Sequence, residues 1–191
     1  RRLFSEGTFN AAFVPSYSSL LDNKKTAQKF ANNVFNLLLM GLFFLVLIIE
    51  IMMPLFVFLI APGFNGDQQK MELAVNLTRI TFPFLMFISL ASFFSAVLNS
   101  HNKFAVASAA PIILNILLIG VLILGKLLND QLVYYLSYAV TISGILQFIY
   151  LYFFTKKYFS PNLRLLFKID NKTKNFFRKL LPSIFSSGVT Q

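Results

Sequence analysis

The chain has 191 residues, of which 57% are hydrophobic and 13% are charged, and its mean hydropathy is +0.69. A soluble domain usually carries about 25% charged residues, so this composition excludes an ordinary soluble domain and indicates a membrane protein. The absence of cysteine excludes a disulfide framework, a thiolate metal site and a cysteine nucleophile. In so apolar a chain, anionic lipid headgroups and membrane topology explain the net charge of +10 better than nucleic acid does.

Four apolar segments dominate the chain and predict membrane-spanning helices. They cover residues 34–60, 73–98, 104–128 and 132–154. Each exceeds the roughly 20 residues that cross about 30 Å of hydrocarbon. Because a backbone in lipid must satisfy its own hydrogen bonds, these segments are expected to be helical. Prolines inside or near them predict kinks at Pro54, Pro83 and Pro111.

The two ends of the chain are expected to be parts of further helices. Residues 1–21 resemble the latter part of a spanning helix, and residues 181–191 the start of another. Since the chain opens on Arg1 in the middle of a pattern, it is expected to be an internal fragment of a larger protein. The predicted fold class is all-α, a polytopic helical bundle, with one transmembrane domain over 1–191 and no soluble domain.

The charges of the connecting segments alternate along the chain. Residues 22–29 hold three lysines against one aspartate, and residues 155–180 hold eight basic residues against one acidic residue. Residues 62–72 hold two acidic residues and one lysine, and residues 126–131 are neutral overall. The positive-inside rule therefore predicts that 22–29, 99–104 and 155–180 are cytoplasmic.

Residues 168–180 allow two interpretations. Apolar Ile169, Phe176, Phe177 and Leu180 stand among basic residues. This pattern could form a short amphipathic helix on the inner leaflet. A basic cytoplasmic loop that sets the topology is the interpretation we favour from sequence.

The first helix carries charge where charge is costly. At ~100° per residue, Arg1 shares a narrow face with small polar residues, while Arg2 and Glu6 are four residues apart and close enough to pair. A small, polar face that ends in an arginine could line an anion-binding cavity, and Gly7 beside Glu6 would let another helix approach closely. The alternative is that both arginines are interfacial charges at a helix end.

Several short motifs, in this order and at this spacing, carry a resemblance to a known family. They are RRLFSEGTF at 1–9, AFVP at 12–15, APGF at 61–64, RITFP at 79–83, ISLAS at 88–92, AVLN at 96–99 and PIILNI at 111–116. Together they resemble the MurJ (MviN) family of lipid II flippases, within the superfamily of multidrug and polysaccharide exporters. The resemblance covers essentially the whole chain, from within helix two to the start of helix seven of the family's fourteen helices.

The resemblance implies a function and a set of site residues. Family members move lipid II, the undecaprenyl-pyrophosphate-linked peptidoglycan precursor, across the bacterial inner membrane by alternating access between two lobes. Arg1 and Arg2 would then belong to the cationic cavity that receives the pyrophosphate, where arginine can bind oxygen pairs bidentately. Glu6, Gly7 and Thr8 would belong to a gate, with Thr8 standing where the family more often has alanine.

Other polar residues in apolar segments are weaker candidates. Glu50 lies outside the family's pattern and is expected to pair with a polar neighbour or lie near the outer interface, with an ion or proton site as the alternative. Arg79 is expected to extend to the outer interface rather than bind ligand. Asn115 and Gln147 are expected to form interhelical hydrogen bonds. His101 is a lone loop histidine with no metal-ligand pattern beside it.

The sequence leaves rival functions open. A polysaccharide, O-antigen or multidrug exporter of the same superfamily would have the same fold, and a non-transporting scaffold or a membrane-embedded transferase belongs to another class. No nucleotide-binding or hydrolase motif supports an enzyme. No cofactor is expected in this chain, and transport is expected to be coupled to membrane potential or to a monovalent ion bound outside it. The expected partners are lipid II, anionic lipids and cell-wall synthesis machinery, with no nucleic acid.

Overall fold

The structure is a computed structural model that describes residues 7–64, 66–125, 131–163 and 173–178. Within these ranges every regular element is helical, as the sequence predicts. The α-helices are α1 Gly7–Ser18, α2 Lys24–Ile51, α3 Met53–Ile60, α4 Gln68–Thr81, α5 Phe84–Ser100, α6 Phe104–Ala109, α7 Ile112–Leu124, α8 Leu132–Thr155 and α9 at 173–178. A 3₁₀ turn, Pro62–Phe64, joins α3 to the loop before α4. The expected helix at 181–191 lies outside the described residues.

All three predicted proline kinks are confirmed as helix interruptions. The break at Met52 comes just before Pro54, which lies in the first turn of α3, where a missing N–H costs least. Pro83 separates α4 from α5, and Pro111 precedes the first residue of α7. Each interruption divides one predicted apolar segment into two helices.

Two predicted helix starts are wrong, because polar residues extend the helices beyond the apolar segments. Helix α2 begins at Lys24 rather than at residue 34, and the side chain of Asn23 accepts a hydrogen bond from the Thr26 N–H at 3.2 Å. Helix α4 begins at Gln68 rather than at residue 73, where Asp67 caps the Lys70 N–H at 3.1 Å. Side-chain capping of free N–H groups fixes both starts. Most of the predicted connection 22–29 is therefore helical.

Four helical stretches of the described chain are long and apolar enough to cross a membrane. They are Lys24–Ile51, Gln68–Ser100, Phe104–Leu124 and Leu132–Thr155. Large apolar side chains on them point outward; Ile116 and Ile123 of α7, for example, are 63% and 68% exposed. Such exposure on a contiguous helix face is expected where lipid is the solvent.

The described residues fall into two compact units. The first contains the chain up to Met40, Leu90–Ser108 and the part from Tyr150 onward. Its core is aromatic, with Phe13, Phe93, Phe94 and Phe159 almost fully buried.

The second unit contains Gly41–Ser89 and Ala109–Ile149. It is held in part by a close approach of α8 to α5. A Cβ atom added to Gly144 would lie 2.7 Å from Cδ2 of Phe84 and 3.3 Å from Cβ of Phe87. Close by in sequence, the Thr141 hydroxyl donates to the carbonyl oxygen of Ile80. Small residues at such contacts let the helices pack closely without a hydrophobic driving force.

Candidate functional site

The predicted cavity and gate residues are at the N-terminal end of the chain. Arg1, Arg2 and Glu6 lie outside the described residues, so their roles remain predictions. Gly7 and Thr8 form the first turn of α1, and their backbone is helical. The described part of the motif at 1–15, residues 7–15, is therefore helical.

Helix α1 is held in place by the aromatic residues of that same motif. Phe13 is 0% exposed and stacks on Phe9 at 5.4 Å, on Tyr17 at 5.3 Å and on Phe30 of α2 at 5.8 Å between ring centroids. Phe93 of α5 meets Phe13 edge-on at 5.2 Å. Offset-stacked and edge-to-face aromatic pairs contribute beyond their buried area. Phe9 and Phe13 thus fix the position of the described helix α1.

The short helix α9 joins the same aromatic cluster. The ring of Phe176 meets Phe9, Phe13 and Phe30 edge-on, with centroid distances of 5.9, 6.0 and 5.8 Å. Phe176 is buried, whereas Lys174 and Arg178 are exposed. Residues 173–178 are therefore helical rather than a loop, because Phe176 is buried against α1 and α2. That this basic segment is cytoplasmic and sets the topology stays a prediction. The remainder of 164–180 lies outside the described residues.

Glu50 and Arg79 form an ion pair within the second unit. Oε2 of Glu50 lies 3.7 Å from Nε of Arg79, and the side chains are 24% and 48% exposed respectively. The second carboxylate oxygen, Oε1 of Glu50, is buried and has no hydrogen-bond partner among the described residues. The predicted pairing of Glu50 with a polar neighbour is confirmed, and the neighbour is the arginine of the RITFP motif. Pairing lowers the cost of a charge in a spanning helix.

The remaining polar candidates do not converge on this pair. Asn115 is exposed on α7. Gln147 of α8 is 1% exposed, and its Nε2 has no hydrogen-bond partner among the described residues. The interhelical hydrogen bonds expected of these two amides therefore remain predictions for partners beyond the described ranges.

His101 lies in an aromatic contact in the turn after α5. Its ring stacks on Tyr158 at 4.3 Å and meets Tyr17 edge-on at 6.0 Å. Burial lowers the pKa of this imidazole below its usual 6.5, because the charged form loses water. The contacts with Tyr158 and Tyr17 give His101 a packing role. Among the described residues no group of three or more metal-ligating side chains occurs.

An apolar pocket of about 180 Å³ lies within the second unit, beside the APGF motif. Its lining is formed by Phe56, Val57, Ile60, Ala61, Phe64, Ala74 and Thr78. The threonine hydroxyl is the one polar side-chain group of this lining, and no charged residue contributes. The pocket therefore suits an apolar group and offers no chemistry for an anionic headgroup.

These features together define an all-helical, multi-pass membrane protein. The family profile described as Lipid II flippase MurJ matches residues 1–191. The chain belongs to this family of the bacterial inner membrane.

Individual relatives agree with the family match. The chain is 36% identical over 194 residues to a probable lipid II flippase MurJ of Rickettsia prowazekii (strain Madrid E), covering 100% of this chain and 38% of the relative. It is 36% identical over 200 residues to a probable lipid II flippase MurJ of Rhizobium tropici, covering 100% of this chain and 37% of that relative. It is 34% identical over 151 residues to a lipid II flippase MurJ of Burkholderia cenocepacia, covering 78% of this chain and 30% of that relative. The chain thus spans between three and four tenths of the length of these curated relatives.

Proposed function

We propose that the full-length protein containing this chain moves lipid II from the inner to the outer leaflet by alternating access, for cell-wall synthesis and the maintenance of cell shape. The observation that carries the proposal is the family match over all 191 residues. Four helices suited to crossing a membrane support it, because the cargo must pass through a bundle of this kind.

Arg1 and Arg2 are proposed to receive the pyrophosphate. A headgroup that leaves water loses the hydration of its anionic oxygens, and a guanidinium replaces that hydration with charge-assisted, bidentate hydrogen bonds. The anchoring of α1 through Phe9 and Phe13 supports this role, because it holds in place the helix that follows the two arginines in the sequence.

Glu6, Gly7 and Thr8 are proposed to form part of a gate. A glycine in the first turn of α1 leaves room for a second helix to approach, and a carboxylate beside it can hold that helix by hydrogen bonds in one state and release it in the other. Glu50, Arg79 and Asn115 are secondary candidates for contact with cargo or ion.

The proposed activity is transport without covalent chemistry, which is not an enzymatic activity. Coupling to membrane potential or to a monovalent ion bound outside this chain is proposed as the driving force. Lipid II is the proposed cargo, with anionic lipids and cell-wall synthesis machinery as further partners.

The test is genetic complementation in a bacterium depleted of its own lipid II flippase. We expect the full-length protein to restore growth, Arg1→Ala to abolish it, and Arg1→Lys to restore it in part because the charge remains. Lys70→Ala is the matched control, since Lys70 is exposed and pairs with the neighbouring Asp67. Membrane-inserted protein that fails to restore growth would instead support an exporter of another cargo or a scaffold.

A further inference from the structure

Glu50 and Arg79 carry opposite charges at the same depth of the second unit. Ile60, the last residue of α3, comes ten residues after Glu50, and Arg79 comes eleven residues after Gln68, the first residue of α4. At 1.5 Å of rise per residue, each charge stands roughly 15 Å from the connection between these two helices. Since a hydrocarbon core is about 30 Å thick, both charges lie deep within a spanning segment. A charge at such a depth is costly and is kept where it has a partner or a function.

The ion pair uses only part of the bonding capacity of its two groups. The distance of 3.7 Å between Nε of Arg79 and Oε2 of Glu50 exceeds the 2.7–2.9 Å that is typical of a charge-assisted hydrogen bond. Oε1 of Glu50 is buried and has no hydrogen-bond partner among the described residues. Neither Nη atom of Arg79 donates a hydrogen bond to a residue in the described part of the chain. The guanidinium therefore keeps donors for another acceptor.

The two groups differ in their access to the surroundings. The side chain of Glu50 is 24% exposed, whereas that of Arg79 is 48% exposed. Glu50 also adjoins the helix break at Met52, where Pro54 has no N–H to donate to the carbonyl four residues earlier. The carboxylate is thus held beside a kink, while the guanidinium stands on a long side chain at the more open side. Arg79 is therefore the member of the pair that can turn to a new partner.

A loosely held carboxylate suits an arginine that binds anions in turn. Without any counter-charge, an arginine at this depth would destabilise the folded protein. With a fully bonded, bidentate carboxylate it would be unavailable to a ligand. A contact of 3.7 Å lies between these limits, because it offsets the charge and leaves the planar guanidinium able to bind the oxygens of another anion.

We propose that Glu50 is the exchangeable counter-ion of Arg79. Arg79 binds an anionic oxygen group of the cargo during transport, and Glu50 takes Arg79 back when the cargo leaves. Arg79 is then a cargo-binding residue, and Glu50 is a positioning residue that competes with the cargo. The inference rests on the proposed function and adds to it a regulation by Glu50, which lies outside the motifs that carry the family resemblance.

The test measures binding of lipid II and of inorganic pyrophosphate to the purified full-length protein by titration calorimetry in detergent. We expect Glu50→Gln to bind lipid II about three- to tenfold more tightly, because the lost competitor contributes as much as a polar pair between membrane helices does. Arg79→Gln should bind at least tenfold more weakly. Arg79→Lys should lie between Arg79→Gln and the unmodified protein, since an ammonium keeps the charge without the bidentate geometry.

A double variant and a control separate competition from a general effect of charge. Glu50→Gln/Arg79→Gln should bind as Arg79→Gln alone does, because Glu50 then has no arginine to hold. Glu72→Gln is the matched control, since Glu72 is an exposed carboxylate of the same unit, and it should bind as the unmodified protein does.

Translocation in proteoliposomes supplies a readout that a merely structural ion pair would not change. Because Glu50→Gln removes the group that displaces the cargo, both its half-saturating lipid II concentration and its maximal rate should fall. A structural pair would affect the melting temperature and leave the half-saturating concentration unchanged.

An affinity for lipid II that is unchanged or weaker in folded Glu50→Gln would overturn the proposal, and so would tighter binding that persists in the double variant. If Glu50→Gln does not fold, Glu50→Asp replaces it. The shorter side chain withdraws the carboxylate from Arg79, so binding should again tighten, and an unchanged affinity would overturn the proposal.

The two probes identify the anionic group. Tighter binding of pyrophosphate as well as lipid II by Glu50→Gln assigns it to phosphate oxygens, and tighter binding of lipid II alone assigns it to another anionic group of the cargo. Failure of the proposed function is seen separately, in an unmodified protein that neither binds nor translocates lipid II, and it would overturn this inference too. Normal translocation with no effect of Glu50→Gln would overturn the inference alone.

Discussion

Glu50 of α2 and Arg79 of α4 lie opposite each other, with 3.7 Å between Oε2 and Nε. The arginine belongs to the RITFP motif, one of those that carry the resemblance to the family, whereas the glutamate lies outside that pattern. Their opposite charges explain how each is tolerated in a spanning segment. The pair also ties α2 to α4 within the second unit.

A double-mutant cycle tests whether this ion pair stabilises the protein. We expect Glu50→Gln and Arg79→Gln each to destabilise the protein, and the coupling energy to be about 0.5–1.5 kcal/mol, because polar pairs between membrane helices fall in this range. Thermal unfolding of the two single variants and the double variant in one detergent measures it. Additive effects of the two substitutions would show that the contact contributes nothing.

The aromatic cluster around Phe13 is expected to contribute more to the free energy of unfolding than the Glu50–Arg79 pair does. Phe13 is fully buried among five rings, so Phe13→Ala should lower the free energy of unfolding by about 3–5 kcal/mol. Phe153→Ala is the matched control, because Phe153 is 72% exposed and its loss leaves no cavity. Melting temperatures of the two variants in detergent give the comparison. Similar melting temperatures for both would contradict the assignment of Phe13 to the core.

Prolines and apolar length allowed much of this fold to be predicted from the sequence. The interruptions near Pro54, Pro83 and Pro111 follow from the missing N–H and fixed φ of proline, which act locally. The starts of helices α2 at Lys24 and α4 at Gln68 were not predicted, because a hydropathy pattern does not detect the capping hydrogen bonds made by Asn23 and Asp67.

The docking of α9 was missed for a different reason. It depends on contacts between Phe176 and rings far away in sequence, which no local periodicity contains. The sequence signal for this helix was a phenylalanine, Phe176, between the basic residues Lys174 and Arg178. The cavity and gate roles came from the motif, because helical periodicity left open that both arginines are interfacial charges at a helix end.

Glycine substitutions test the close helix packing in the second unit. Gly144→Ala should destabilise the protein by about 1–3 kcal/mol, because the added methyl group would lie 2.7 Å from Cδ2 of Phe84. Gly120→Ala is the control in α7, where nothing lies within 4 Å of the added Cβ. It should be neutral or stabilise slightly, since alanine favours helix over glycine. A neutral Gly144→Ala would refute the close approach of α8 to α5.

The stability of the first unit should fall at mildly acidic pH. Burial lowers the pKa of His101 in the folded state, so the unfolded chain binds the proton more readily. Stability is therefore lost as pH falls below the unfolded value near 6.5. Melting temperatures at pH 7.5 and 5.5 measure the effect. The variant His101→Phe retains a ring against Tyr158 but cannot titrate, so its melting temperature should depend less on pH. If the melting temperature of this variant depends on pH as strongly as that of the unmodified protein, groups other than His101 cause the effect.

The most direct test of the central claim is translocation of lipid II by the purified full-length protein in proteoliposomes, scored by its accessibility on the opposite leaflet. We predict translocation by the unmodified protein and by the Lys70→Ala control, and at least a tenfold loss with Arg1→Ala while the melting temperature is unchanged. Translocation that is equally fast with Arg1→Ala would contradict the proposed cavity. No translocation by the unmodified protein, with intact folding and under an imposed membrane potential, would contradict the proposed function itself.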